Sequence, residues 1–186
     1  IAGMINEKTL NLAKVCGVHA VDLLKREEMA VLNAIPTAEG AIQIAMEETP
    51  TTIHGSNVLI LGYGRVGKVL AKMLYGIGAN VYVEARKYSD LSWIDSYGYK
   101  PIFIEDLSDN LKTMNIVINT IPSMILDRKL LSFLNKECLV IDLASKPGGI
   151  DLEAAGELGV KTIWALSLPG KVAPLTAAQY INTTVK

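Results

Sequence analysis

From residue 57 onward, short apolar runs rich in β-branched residues alternate with segments whose apolar positions recur every three to four residues. That alternation predicts strands of a parallel sheet joined by helical crossovers. NVLIL (57–61), NVYVE (80–84), KPIFI (100–104), NIVIN (115–119), CLVID (138–142) and KTIWA (161–165) read as the strands. After the first, Val66, Val69, Leu70, Met73 and Leu74 share one helical face, and that helix ends near Gly76 and Gly78. Leu91, Ile94 and Tyr97 mark another helix, with Ser92 and Asp95 at capping-box spacing. Strands with right-handed crossovers in two mononucleotide-binding halves give the order 3-2-1-4-5-6. The expected class is α/β, a doubly wound parallel sheet of the Rossmann type.

The first fifty residues are less regular. A helix over about 6–16 closed by Gly17, then VHAVDLL and AVLNAI, read as the tail of a preceding α/β unit too short to bury a core alone. Residues 1–36 are assigned to that remnant. TAEGAIQIAMEE predicts a helix over 37–48 with Thr37 as N-cap, forming a linking segment 37–50, and TPTTIHGS is the loop into the first strand. The last segment, 172–186, is expected to be a helix starting near Pro174, with Ala178, Ile181 and Val185 on its apolar face.

Half of the 186 residues are hydrophobic, which suits one domain with a sizeable core plus a smaller appendage. Eighteen basic against nineteen acidic residues leave a net charge of −1 without a block of one sign, which argues against nucleic-acid partners and polybasic membrane contact. No apolar stretch approaches the roughly 20 residues of a membrane span, and no charged-then-apolar leader opens the chain. Cys16 and Cys138 are far apart and outside any CxxC pair, so both are read as reduced, buried thiols of a cytoplasmic protein. Because the first residue is Ile1, the expectation is of a piece of a longer protein.

The chemistry begins in LGYGRVGKVL (61–70). Gly62, Gly64 and Gly67 fall between a strand and a helix, the setting in which G-x-G-x-x-G forms a dinucleotide cradle. The first glycine permits a sharp turn, the second lets backbone approach a pyrophosphate, and the third lets helix and strand pack closely. The helix N-terminus then presents free N–H groups and a partial positive charge to the anion. The bland alternative is a glycine turn without a ligand. A Walker loop is excluded, because Lys68 is followed by Val69.

Residues 51–171 are therefore assigned to a dinucleotide-binding domain. Glu84 ends the second strand, where an acid would meet the ribose hydroxyls of NAD, but Arg86 and Lys87 follow and would suit the 2′-phosphate of NADP. Glu84 and Arg86 point the same way in an extended segment and can pair. The reading favours NADP over NAD; the bland one is that the two cations are solvated loop charges.

INTIPS (118–123) closes the fourth strand, with Pro122 stopping it at its carboxyl end and Thr120 placed toward the nicotinamide half, or merely in a strand-ending turn. In IDLASKPGGID (141–151), Asp142 needs a partner if buried, and Lys146 is the cation nearest the cleft, although by composition alone it reads as a surface loop lysine. His19 and His54 are separated and have no nucleophile motif beside them, and no Cys, His and carboxylate cluster has metal spacing. The six methionines read as core filler.

NAIPTAEGAIQIAMEETPTTIHGSNVLILGYGRVG, NTIPS, IDLASKPGGID and LPGKVAPLTAAQ together resemble the A-subunit family of dipicolinate synthases, over nearly the whole chain and with four blocks agreeing in order and spacing. More distantly, the nucleotide domain is similar to those of D-2-hydroxyacid and shikimate dehydrogenases. The resemblance implies an enzyme of the mother cell of a sporulating bacterium that oxidises dihydrodipicolinate to dipicolinate with NADP or NAD. It implies a homo-oligomer, with the B-subunit of dipicolinate synthase for a partner, and makes residues 1–36 the end of an N-terminal, substrate-side domain. Carried over, it assigns Gly62, Tyr63, Gly64, Arg65, Val66 and Gly67 to the pyrophosphate. Arg86 and Lys87 go to the adenosine ribose or its phosphate, and Thr120, Ile121 and Pro122 to the nicotinamide. For the small dicarboxylate substrate it points to Thr37, Glu39, Ser145, Lys146 and Thr176. No catalytic acid or base emerges. Two other readings stand beside this one: another NAD(P)-dependent hydroxy- or imino-acid dehydrogenase, and a non-catalytic nucleotide-binding subunit that scaffolds a partner.

Overall fold

The computed structural model describes residues 1–185, and its centre is a six-stranded, all-parallel sheet in the order 3-2-1-4-5-6. The strands are β1 (Asn57–Leu61), β2 (Asn80–Glu84), β3 (Lys100–Ile102), β4 (Ile116–Asn119), β5 (Leu139–Asp142) and β6 (Lys161–Trp164). Several are shorter than the apolar runs suggest; in KPIFI the last two residues leave the sheet, and Phe103 and Ile104 are exposed. β1, β4 and β5 are buried along nearly their whole length because helices cover both faces, which is why they read as continuous apolar runs. Val58, Ile60, Ile116, Ile118, Leu139 and Ile141 face one core, and Leu59, Leu61, Val117 and Val140 face the other.

The first core is covered by α2 (Glu27–Glu48), α3 (Arg65–Ile77), α4 (Tyr88–Ser96) and α8 (Leu168–Val172). The second lies under α5 (Leu107–Leu111), α6 (Arg128–Leu131) and α7 (Leu152–Leu158). α3 ends where Gly78, at φ +91°, takes the left-handed conformation and its N–H bonds the carbonyls of Leu74 and Tyr75.

Several expectations are corrected. α2 does not begin at Thr37: it starts ten residues earlier at Glu27 and runs through Pro36, across the expected boundary at 36–37. A proline in a helix interior costs about 3 kcal/mol, but Met29, Ala34, Ala38, Ala41 and Ala45 bury one continuous face and Gly40 lets α8 come close, so packing outweighs the local break. Thr37 donates its hydroxyl to the Asn33 carbonyl at 2.7 Å and caps nothing. Ser92 and Asp95 lie inside α4, with the Ser92 hydroxyl bonded back to the Tyr88 carbonyl, so they form no capping box.

Cys138 is buried as expected, whereas Cys16 is exposed beyond the end of α1 (Glu7–Val15), a helix with no buried residue. The segment ahead of α2 is tied down by the buried Asp22, whose carboxylate accepts from the backbone N–H groups of Met4, Ile5 and Leu24. α9 (Pro174–Val185) begins where expected, but Ala178, Ile181 and Val185 face solvent and Thr184 is the residue it buries. The expected terminal segment also includes residue 186, which lies outside the described residues. No helix among them is long and apolar enough to cross a membrane.

Candidate functional site

The carboxyl ends of the strands form one crevice, and strand order reverses between β1 and β4, where such sheets bind ligands. Gly62 leaves β1 at φ +93°, and its N–H donates to the Glu84 carbonyl at 3.1 Å. A Cβ on Gly62 would lie 2.8 Å from both the Thr120 hydroxyl and an Ile121 side-chain carbon, so the turns after β1 and β4 interlock. A Cβ on Gly67 would lie 2.1 Å from the Gly62 carbonyl oxygen, which fixes the start of α3 against the turn. At Gly64, by contrast, nothing lies within 4 Å of where a Cβ would project. A turn closed by its own backbone on one side and open at its middle glycine is the shape a pyrophosphate needs, and the residues present fit a dinucleotide.

A cleft of about 480 Å³ follows from this turn, lined by Gly62, Tyr63, Gly64, Arg86, Lys87 and Ile121 from the expected set. Glu84, weighed in the sequence as the acid that meets the ribose of NAD, also lines it, and so do Lys68, Ala85, Asp90 and Ser123, for which the sequence carries no signal. Thr120 donates its hydroxyl to the Leu61 carbonyl at 2.8 Å and holds the two strand ends together, while Pro122 is exposed. Val66 packs into the core beneath α3. The side chain of Arg65 turns the other way and pairs at 2.8 Å with Glu27 of α2, so only its backbone faces the turn.

Glu84 does not pair with Arg86. Its side chain is fully buried and neither carboxylate oxygen has a hydrogen-bond partner. Burial pushes its pKa above the usual carboxyl range, opposed by the charge of Arg86. Asp142 is the contrasting case. It too is buried, but it accepts from the Asn119 side-chain amide at 2.8 Å, from the Ala144 N–H at 3.0 Å and from the Gly149 N–H at 2.9 Å. Asn119 in turn bonds the Ile121 carbonyl and N–H. This satisfied network sets the loops after β4 and β5, and with them the floor of the crevice.

A second cleft of about 580 Å³ opens beside the loops after β5 and β6 and brings together Thr37, Ser145 and Lys146. Leu143, Leu166, Ser167, Leu168, Pro169 and Met4 complete its wall. Ser167, at φ +60°, is in the left-handed region, a backbone strain that residue type alone does not announce. Glu39 is not here: it lines a groove between α2 and α3 with Met46, Met73 and Ile77. Thr176 lies in the first turn of α9, outside the residues lining either strand-end cleft. Trp164 donates to the Ala144 carbonyl at 2.9 Å, closing the loop that carries Ser145 and Lys146.

Fold and cleft are those of a nicotinamide-dinucleotide-binding dehydrogenase domain, and residues 29–145 match the family described as D-isomer specific 2-hydroxyacid dehydrogenase, NAD binding domain, to which the chain belongs. Within that class the chain is 42% identical over 180 residues to the dipicolinate synthase A-subunit of Bacillus subtilis (strain 168), a match covering 97% of this chain and 61% of that protein. The crystal structure of that relative superposes with a TM-score of 0.94 over 98% of this chain and 61% of its own. The dipicolinate synthase A-subunit of Bacillus halodurans does so with a TM-score of 0.94 at 38% identity, over 99% of this chain and 64% of that one. The chain thus spans about three fifths of the length of these relatives.

Proposed function

We propose that the chain supplies the cofactor-binding part of an NAD(P)-dependent oxidoreductase that converts dihydrodipicolinate to dipicolinate, working with the B-subunit of dipicolinate synthase. The observation that carries the reading is one crevice holding both the open glycine turn and the Thr37–Ser145–Lys146 cleft, in a chain 42% identical to a dipicolinate synthase A-subunit. The nicotinamide, when bound, supplies a hydride acceptor. The substrate gives up one hydride and one proton, and aromatisation of its ring drives the step. Little acid or base catalysis is required, in keeping with a substrate cleft whose described lining has Lys146 as its titratable side chain.

The task left to the protein is orientation. Lys146 meets a carboxylate of the dianion, Ser145 donates to its oxygens, Thr37, whose hydroxyl hydrogen is held by the Asn33 carbonyl, lines the cleft beside them, and the apolar wall of Leu143, Leu166 and Leu168 holds the ring. Lys146→Ala is expected to raise KM for the dicarboxylate about tenfold or more while leaving dinucleotide affinity unchanged, the loss expected for a charge-assisted bond. An unchanged KM removes Lys146 from the site.

The exposed Arg86 and Lys87 in the glycine cleft favour NADP. The unpartnered carboxyl of Glu84 is the observation on the side of NAD. Calorimetric titration with NADPH and NADH, repeated on Arg86→Ala, separates the two. Tighter NADPH binding that collapses in the variant supports NADP; tighter NADH binding indifferent to the variant refutes it.

A further inference from the structure

Of the eleven aromatic residues in the chain, Tyr63, Tyr75, Trp93, Tyr97 and Tyr99 gather at one place beside the strand-end crevice. Trp93 on α4 and Tyr97 at its C-cap, one turn apart, stack with ring centroids 5.7 Å apart and an interplanar angle of 22°. Tyr99 packs against Tyr97 at 6.0 Å and edge-on to Tyr75 at 5.4 Å. Trp93 is 57% exposed and Tyr97 55% exposed, large apolar areas to leave in water. They wall a cleft of about 550 Å³ whose remaining lining is Tyr63, Tyr99, Lys68 and Lys72.

Lys68 and Lys72 are one turn apart on α3, a like-charged pair that weakens a helix. Neither forms a salt bridge among the described residues, and no carboxylate lines this cleft. The Lys68 ammonium lies 5.3 Å from the centre of the Tyr63 ring. Two cations without a salt bridge, lining with aromatic rings one cavity of small-molecule size, call for a ligand that is flat and negative.

We propose that the cleft between α3 and α4 binds a small planar aromatic carboxylate, its ring laid on the Trp93–Tyr97 wall and its charge met by Lys68 and Lys72. This site stands apart from the Thr37–Ser145–Lys146 cleft and does not depend on the reaction proposed above. It adjoins the glycine turn, because Tyr63 and Lys68 line both clefts, whereas Lys72, Trp93, Tyr97 and Tyr99 line only this one.

Trp93 reports on it directly. In a Trp164→Phe background it is the only tryptophan, so its fluorescence is titrated with isophthalate and pyridine-2,6-dicarboxylate. Cyclohexane-1,3-dicarboxylate serves as an anion of equal charge that is not flat. The expected result is saturable quenching by both aromatic acids with dissociation constants of about 1 mM or tighter, weakened about tenfold by the non-planar control and by Lys72→Gln. Lys146→Ala in the same background is expected to leave this quenching unchanged, which separates the site from the substrate cleft. Quenching that fails to saturate, equal affinity for the non-planar acid, unchanged affinity in Lys72→Gln, or loss in Lys146→Ala each overturns the proposal.

Discussion

Gly67→Ala places local propensity and tertiary packing in direct opposition. Within a helix, replacing glycine by alanine gains about 0.5–1 kcal/mol through backbone entropy. At Gly67, however, the added Cβ would sit 2.1 Å from the Gly62 carbonyl oxygen and 3.1 Å from its carbon. Atoms of that kind do not approach within 3.0 Å, so turn and helix must separate by almost an ångström. The opposing group is backbone, fixed by the Gly62 N–H bond to Glu84 and by the interlocked Thr120 and Ile121, and it has no rotamer to yield. Overpacking of this kind costs about 1–3 kcal/mol and outweighs the propensity gain. Gly76, in the same helix, has nothing within 4 Å of its would-be Cβ and serves as the internal control.

Urea denaturation is expected to show Gly67→Ala destabilised by about 1–2 kcal/mol, a fall in Tm of roughly 2–8 °C for a chain of this size, and Gly76→Ala stabilised by up to about 1 kcal/mol. Because the displaced atoms are the cradle itself, NADPH affinity measured by calorimetry should fall in the first variant and hold in the second. If Gly67→Ala is as stable as wild type or more so, the contact does not constrain the turn and the reasoning fails.

Three further outcomes follow from buried groups. Asp142→Ala leaves three N–H donors of the strand-end network without their acceptor and is expected to cost about 3 kcal/mol or more by urea denaturation; a loss under about 1 kcal/mol would mean that water replaces the carboxylate. Glu84 has a folded-state pKa above its ordinary value of 4.5, so the native state holds its proton longer and stability falls as pH rises from about 4.5 through the folded value. Glu84→Gln should remove that loss, and parallel unfolding free energies for wild type and variant between pH 4.5 and 8 would contradict it. Burial pushes the Cys138 thiol up to about 12, while Cys16 is exposed, so a thiol reagent at pH 8 should label one cysteine quickly and the second only in denaturant. Two equivalent fast thiols in the native protein would show that Cys138 is accessible.

The strand-end network also explains how a sheet of this kind keeps two neighbouring clefts in fixed relation. Asn119 and Asp142 are paired across the last register position of β4 and β5, so the loops that leave those strands are oriented by the same buried hydrogen bonds. A substitution on one loop should therefore be felt at the other through Asn119 and Asp142 rather than through solvent.

What the sequence alone determined is whatever is periodic or local. Parallel strands buried on both faces must be apolar throughout, so six runs and their order follow from composition and the handedness of crossovers, and the glycine turn follows from its place between a strand and a helix. Tertiary structure decided the features that depend on what a segment meets. Pro36 ends a helix by local rules, yet α2 runs through it because a face of small residues packs on α3 and α8. Arg65 sits in the cradle motif but answers Glu27, thirty-eight residues away, and Glu84 at the end of β2 does not pair with Arg86 two residues beyond it, since one is buried and the other exposed. The aromatic cleft is drawn from α3, α4 and the turns beside them, pieces separated along the chain, of which only Tyr63 falls within a motif. Side-chain partners, unlike periodicity, are set by three-dimensional proximity, and only the folded chain specifies that.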